Sequence, residues 1–213
     1  LNGEAVAARG EFLNFEVDPP NARTASGQSP LLYFGGLSEP ARAVAAECAD
    51  VFLMWPNTLP EVEKVLDNMR ERAAGFARTL RYGYRVHVLV RETEGQAIDA
   101  SRQLISKLDA AEGDRIRAQS LDSTSSGVRA QGELRESADR DGFAEANLWT
   151  GIGRARSGCG AAIVGDPDQV LQKLRAYMAL GIEAFILSGY PHEEECELFA
   201  RYVLPELEHA ILR

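Results

Sequence analysis

The chain has 213 residues, 45% of them hydrophobic and 26% charged, enough apolar content to bury one sizeable core. Its 32 acidic residues outnumber 23 basic ones, and a net charge of -9 excludes the basic stripe that a nucleic-acid surface needs. No apolar run reaches the length of a membrane span and Leu1-Asn-Gly-Glu4 has no signal-peptide character, so no membrane association is expected. Cys48, Cys159 and Cys196 are odd in number, far apart and without metal-ligand spacing. They read as reduced thiols of a cytoplasmic protein that holds no metal.

Residues 1–30 read as an irregular lead-in, with Gly10 to Val17 as a hairpin arm and a turn-rich stretch from Asp18 to Pro30. From Leu31 the pattern alternates between strand and helix. Leu31 to Phe34 is a short apolar strand closed by Gly35-Gly36, and a helix follows over Glu39 to Cys48 with Ser38 as N-cap and Pro40 in its first turn. Val51 to Trp55 is the second strand and Leu59 to Phe76 the second helix, its apolar stripe formed by Val62, Val65, Leu66, Met69 and Ala73. The third strand, Tyr82 to Val90, leads to a helix over Glu94 to Leu108.

The alternation then breaks. Residues 109–160 form an insertion: a polar stretch to residue 148 that predicts one or two surface helices, and a Gly/Arg-rich loop from Gly151 to Gly160 that no clear strand precedes. The repeat resumes with Asp166 as N-cap, Pro167 at the first helical position, and Val170, Leu171, Leu174 and Met178 as the buried stripe. Ala184 to Leu187 is the fourth strand, and a helix starting in Glu193-Glu-Glu195 closes the chain. That acidic run reads as a solvated, dipole-compatible first turn. Strands alternating with helices imply an α/β fold on a parallel sheet. Four such units are half of an eight-stranded barrel of about 250 residues.

Two segments carry the chemistry. In the third strand Arg85, His87 and Leu89 alternate with Val86, Val88 and Val90, which places a guanidinium and an imidazole on one face. Burying both without partners is costly, so an anionic ligand or proton chemistry is the better explanation than a structural ion pair. After the fourth strand, Ser188, Tyr190 and His192 gather at the C-terminal strand end, where parallel α/β folds place their sites. Gly36, Leu37 and Ser38 join a strand to a helix N-terminus suited to a phosphate, or equally to an ordinary cap. Trp55 ends its strand at the same face and reads as a site or a core residue. Gly151 to Gly160 fails as a dinucleotide fingerprint, since Arg156 stands where the last glycine is required; a mobile lid fits better.

With these residues laid out, the chain resembles the bacterial luciferase-like flavin monooxygenases, and within them the alkanesulfonate monooxygenases. The resemblance rests on Leu31-Leu-Tyr-Phe-Gly-Gly-Leu-Ser38, Asp50-Val-Phe-Leu-Met-Trp55, Arg81 to Thr93, Asn147-Leu-Trp-Thr-Gly-Ile-Gly153 and Ser188-Gly-Tyr-Pro-His192, in order along nearly the whole chain. It implies the C-terminal part of a (β/α)8 barrel, as one domain over 1–213. It further implies reduced flavin mononucleotide (FMN) as cofactor, dioxygen as co-substrate, a separate NAD(P)H-dependent FMN reductase, a homo-oligomer, and cleavage of a sulfonate to an aldehyde and sulfite. Gly36, Leu37, Ser38, Trp55 and Ser188 would then face the flavin, and Arg85, His87, Arg156, Tyr190 and His192 the reacting groups, with Arg156 the lid arginine. The alternatives are a related flavin or deazaflavin oxidoreductase, or a non-catalytic flavin-binding module.

Overall fold

The structure is a computed structural model that describes residues 5–18, 25, 27, 29–118, 125–154 and 158–210. Two compact units are separated at Leu32–Tyr33. In the first, β1 (Val6–Arg9) pairs antiparallel with β2 (Asn14–Val17), with Gly10 N–H donating to the Leu13 carbonyl across the turn.

The second unit is built on parallel strands. β3 (Tyr33–Phe34) pairs with β4 (Val51–Met54), β4 with β5 (Arg81–Val90), and β5 with β9 (Ala184–Ser188). Among the described residues β3 pairs only with β4 and β9 only with β5, so these four strands form an open, curled half-barrel. Helix α1 (Glu39–Cys48) follows β3 and α2 (Leu59–Gly75) follows β4. After β5 come α3 (Glu94–Leu104), α4 (Ala110–Ala118), α5 (Ser126–Glu136), and the antiparallel pair β6 (Phe143–Glu145) and β7 (Leu148–Trp149). Strand β8 (Ala162–Gly165), helix α6 (Pro167–Ala179), β9 and α7 (His192–Tyr202) complete the unit.

The caps expected from sequence form: Ser38 Oγ accepts from Ala41 N–H, and Asp166 shares a reciprocal capping box with Gln169. Tyr82, Tyr84, Val86, Val88 and Val90 pack on the buried faces of α2 and α6. Alternation therefore turns Arg85, His87 and Leu89 to the opposite, inner face, as expected.

Five expectations are corrected. A strand does precede the Gly/Arg loop: β7, only two residues long, and the loop is followed by β8, which runs parallel to β5 through His87–Val90. Ala161 to Gly165 is too short and too uniformly apolar to show a period, which is why no strand was expected there. Helix α3 ends at Leu104, four residues early, where the Ser106 backbone N–H and hydroxyl both turn back onto the Gln103 carbonyl. On α6 the buried stripe takes Tyr177 rather than Met178, which is exposed. Glu195 is buried rather than solvated. Residues 109–148 contain two helices as expected, but α5 buries Gln131 and Leu134 and is not a surface decoration. No helix among the described residues is long and apolar enough to cross a membrane.

Candidate active site

Because β3, β4, β5 and β9 are parallel, their C-terminal ends share one side, and Gly36, Trp55 and Tyr190 follow three of them while His87 lies in the C-terminal half of the fourth. Gly36, Leu37 and Ser38 line a cleft of about 490 Å³ together with Leu53, Met54 and Trp55. The glycine is sterically required: a Cβ at position 36 would lie 2.7 Å from the Ala41 Cβ, so the loop packs directly on the first turn of α1. The other wall of the cleft is the N-terminus of α5, at Ser125, Ser126 and Gly127, where Ser125 Oγ accepts from Val128 N–H. The sequence reading did not assign these three to the site. Their one local signal is the N-cap serine; what brings them to the cleft is the long-range course of the insertion.

The cleft fits FMN on its own chemistry. Two helix N-termini, those of α1 and α5, border it, and the positive end of a helix dipole favours a phosphate. Leu37, Leu53, Met54 and Trp55 supply apolar surface for a planar ring, and the volume is that of an organic-cofactor site.

On the inner face of the half-barrel, His87 is 1% exposed and its Nδ1 lies 2.8 Å from Ser188 Oγ, its partner residue in the β5–β9 register. The His87 and Tyr190 rings are 5.5 Å apart, and Tyr190 meets His192 edge-on at 4.7 Å. The structure thus brings His87, Ser188, Tyr190 and His192 into one contiguous group, with His192 exposed at the start of α7. Arg85 is half-buried on the same face of β5, and no carboxylate among the described residues pairs with it. The β4–β5 pairing ends at Met54–Tyr84, one residue short of Trp55 and Arg85. Arg156 lies outside the described residues.

Behind the cleft, the loop after β4 is tied down at successive residues. Asn57 exchanges backbone hydrogen bonds with the Tyr84 hydroxyl, and its carbonyl also accepts from Tyr177 at 2.8 Å. Leu59 N–H donates to the Glu145 carboxylate, which accepts from the buried Lys173 ammonium at 2.6 Å. Burial pushes both tyrosine hydroxyls well above their ordinary range, so they remain neutral donors. Burial pulls the Lys173 ammonium down, against the opposing pull of Glu145. At the β9–α7 turn, Glu195 forms a two-pronged ion pair with Arg91, whose pKa is raised mainly by the hydrogen bond to that carboxylate. None of these pairs is local in sequence, and sequence patterning contains no trace of them.

Residues 1–184 match the luciferase-like monooxygenase family profile. The chain belongs to that family. A sulfoquinovose monooxygenase from Novosphingobium aromaticivorans is 60% identical over 212 residues, covering 100% of this chain and 59% of that protein. Another, from Agrobacterium fabrum, is 49% identical over 198 residues, covering 93% and 51%. The chain thus spans between half and three-fifths of the length of these curated relatives. Among solved structures, an EDTA monooxygenase from Chelativorans sp. BNC1 superposes with a TM-score of 0.66 at 16% identity, over 95% of this chain and 49% of that one. The oxygenating constituent of 3,6-diketocamphane monooxygenase from Pseudomonas putida, in complex with FMN, gives 0.56 at 15% identity, over 98% and 60%. At such identities these two structures show the shared fold alone: half of a luciferase-like barrel.

Proposed function

We propose that this chain carries part of the active site of a two-component monooxygenase that takes reduced FMN from a separate NAD(P)H-dependent reductase. In this reading it consumes dioxygen and cleaves the carbon–sulfur bond of an organosulfonate to an aldehyde and sulfite. The observation that carries the reading is the arrangement at the strand ends. An anion-suited, partly apolar cleft opens on the same side as a half-buried Arg85, which no carboxylate among the described residues pairs with, and a histidine held by a serine. Bound reduced FMN would supply the electrons that activate dioxygen. Gly36, Leu37 and Ser38 would hold its phosphate, and Trp55 would flank its ring. Arg85 would bind the sulfonate through its planar fork of donors. Ser188 fixes the orientation of the His87 ring, so that His87, with Tyr190 and His192, can hold or move a proton at the reacting centre. Arg156, as the lid arginine implied by the resemblance, would close on the same anion, and the protein would work as a homo-oligomer.

The names of the 60% and 49% identical relatives favour a sulfonated sugar over a simple alkanesulfonate as the substrate. The test is sulfite release from sulfoquinovose and from a linear alkanesulfonate by the purified protein supplied with reduced FMN and dioxygen. Sulfite from the sugar sulfonate in preference is the expected result. Release from neither, in protein shown to bind reduced FMN, would overturn the reading.

A further inference from the structure

Among the described residues Trp55 is the one large aromatic side chain in the cleft wall, and two glycines of the insertion lie close to its ring. A Cβ at Gly127 would sit 3.1 Å from Cζ3 and 3.3 Å from Cε3 of the indole, and one at Gly158 would sit 3.5 Å from Cζ2. The insertion thus approaches two edges of the ring through two glycines, one at the start of α5 and one after the Gly/Arg turn. One helical turn after Gly127 comes Gln131, which is 6% exposed. Its amide Nε2 donates to the carbonyl of Pro56, the residue after Trp55, at 2.7 Å. Its Oε1 accepts from the N–H of Gly160, two residues after Gly158, at 2.9 Å. One buried side chain therefore ties the segment that bears the indole to the two that approach it.

We infer that Gln131 is a positioning residue that sets the orientation of Trp55 in the cleft by clamping the Trp55–Pro56 and Gly158–Gly160 segments onto α5. A primary amide is the side chain suited to this task, since it offers one donor and one acceptor on a planar group. Both backbone groups it satisfies are buried, and each would be left without a partner if an apolar side chain took its place. The spacing of four residues from Gly127 makes the contact and the clamp parts of one helix face. The polar insertion is thereby a working wall of the cleft, a role that its composition does not announce. The inference builds on the reading of the cleft as a flavin site, but its geometry is independent of what the cleft holds.

The test uses the intrinsic fluorescence of the chain. Trp55 and Trp149 are its two tryptophans, and Trp149 is buried, so acrylamide quenching of the folded protein reports mainly on Trp55, with Trp55→Phe providing the Trp149 background. Gln131→Met keeps the volume and removes both hydrogen bonds. It should shift Trp55 emission to longer wavelength, increase its quenching in the absence of flavin, and weaken FMN binding by about tenfold, the loss two neutral hydrogen bonds represent. Gln131→Asn, which keeps the amide on a side chain one methylene too short to reach both Pro56 and Gly160, should fall in between and serves as the probe if Gln131→Met does not fold. A folded variant of lower thermal stability with wild-type Trp55 emission and quenching would reduce Gln131 to a structural contact and overturn the inference. If wild-type protein binds no FMN, the flavin reading of the cleft fails, while the flavin-free quenching still decides the role of Gln131.

Discussion

Replacing Glu195 by Ala tests whether one buried ion pair holds the turn that carries Tyr190 and His192. The Glu195 side chain is 3% exposed; its Oε1 accepts from Arg91 Nη2 at 2.6 Å and its Oε2 from Nη1 at 3.1 Å. The pair links the end of β5, which carries His87, to the first turns of α7. Its fit is tight, because a Cβ at Gly189 would lie 2.4 Å from the Glu195 Cβ and 3.1 Å from the Val88 carbonyl. Removing one partner of a buried pair costs roughly 3–5 kcal/mol, since the remaining charge is left uncompensated. The Arg91 side chain retains 21% exposure and its bond to the Val90 carbonyl at 2.7 Å. That residual contact with water and carbonyl places the expected loss at the low end, about 3 kcal/mol. Urea unfolding with linear extrapolation measures it. A double-mutant cycle with Arg91→Met separates the pair from the rest: the double variant should recover part of the loss, because neither charge then remains buried alone. If Glu195→Ala changes stability by less than about 0.5 kcal/mol, the size expected for an unremarkable surface site, the pair does not lock the turn.

Arg85→Ala should lower kcat/KM for sulfite release by about ten- to a hundredfold, the equivalent of one charge-assisted hydrogen bond of roughly 1.5–3 kcal/mol, and Arg85→Lys should not restore it fully; unchanged kinetics would remove Arg85 from substrate binding. Gly36→Val forces a side chain against Ala41 and should weaken FMN binding about tenfold, consistent with an overpacking cost of roughly 1–3 kcal/mol, as read by equilibrium titration. The depressed Lys173 pKa has a definite sign: as pH rises toward the ordinary value of 10.5, the folded state releases this proton before the unfolded state does, so the unfolded state binds more protons and stability from this group increases. The thermal midpoint of the wild type relative to Lys173→Met should therefore rise over that window, and a gap that stays constant or shrinks would contradict a burial-dominated lysine.

The parts of the fold that were legible in the sequence are those with short-range signals. Ser38 and the Asp166-Pro167 step mark helix starts because a cap and a fixed proline φ act within a single turn. The alternation from Arg85 to Val90 assigns faces because a strand repeats every two residues, so the Arg85 and His87 face needed no tertiary information. Ser188, Tyr190 and His192 were placed with the other strand ends for the same reason: parallel strands align their C-termini. Tertiary structure decided the rest. Strand β8 is a four-residue stretch with no period, and it exists because the edge of β5 beyond β4 offers hydrogen bonds to whatever chain returns there. Glu195 looked like one more solvated acid in a row of three, and its burial follows from Arg91, 104 residues away, and from the room left by Gly189. Ser125–Gly127 and Gln131 sit in a polar stretch whose composition matches any surface helix; their place against Trp55 comes from contacts between segments about 75 and 29 residues apart. Hydrophobic period and capping are encoded by neighbours along the chain, whereas the partner of a buried charge or amide depends on which distant backbone and side chain the packed core brings within 3 Å.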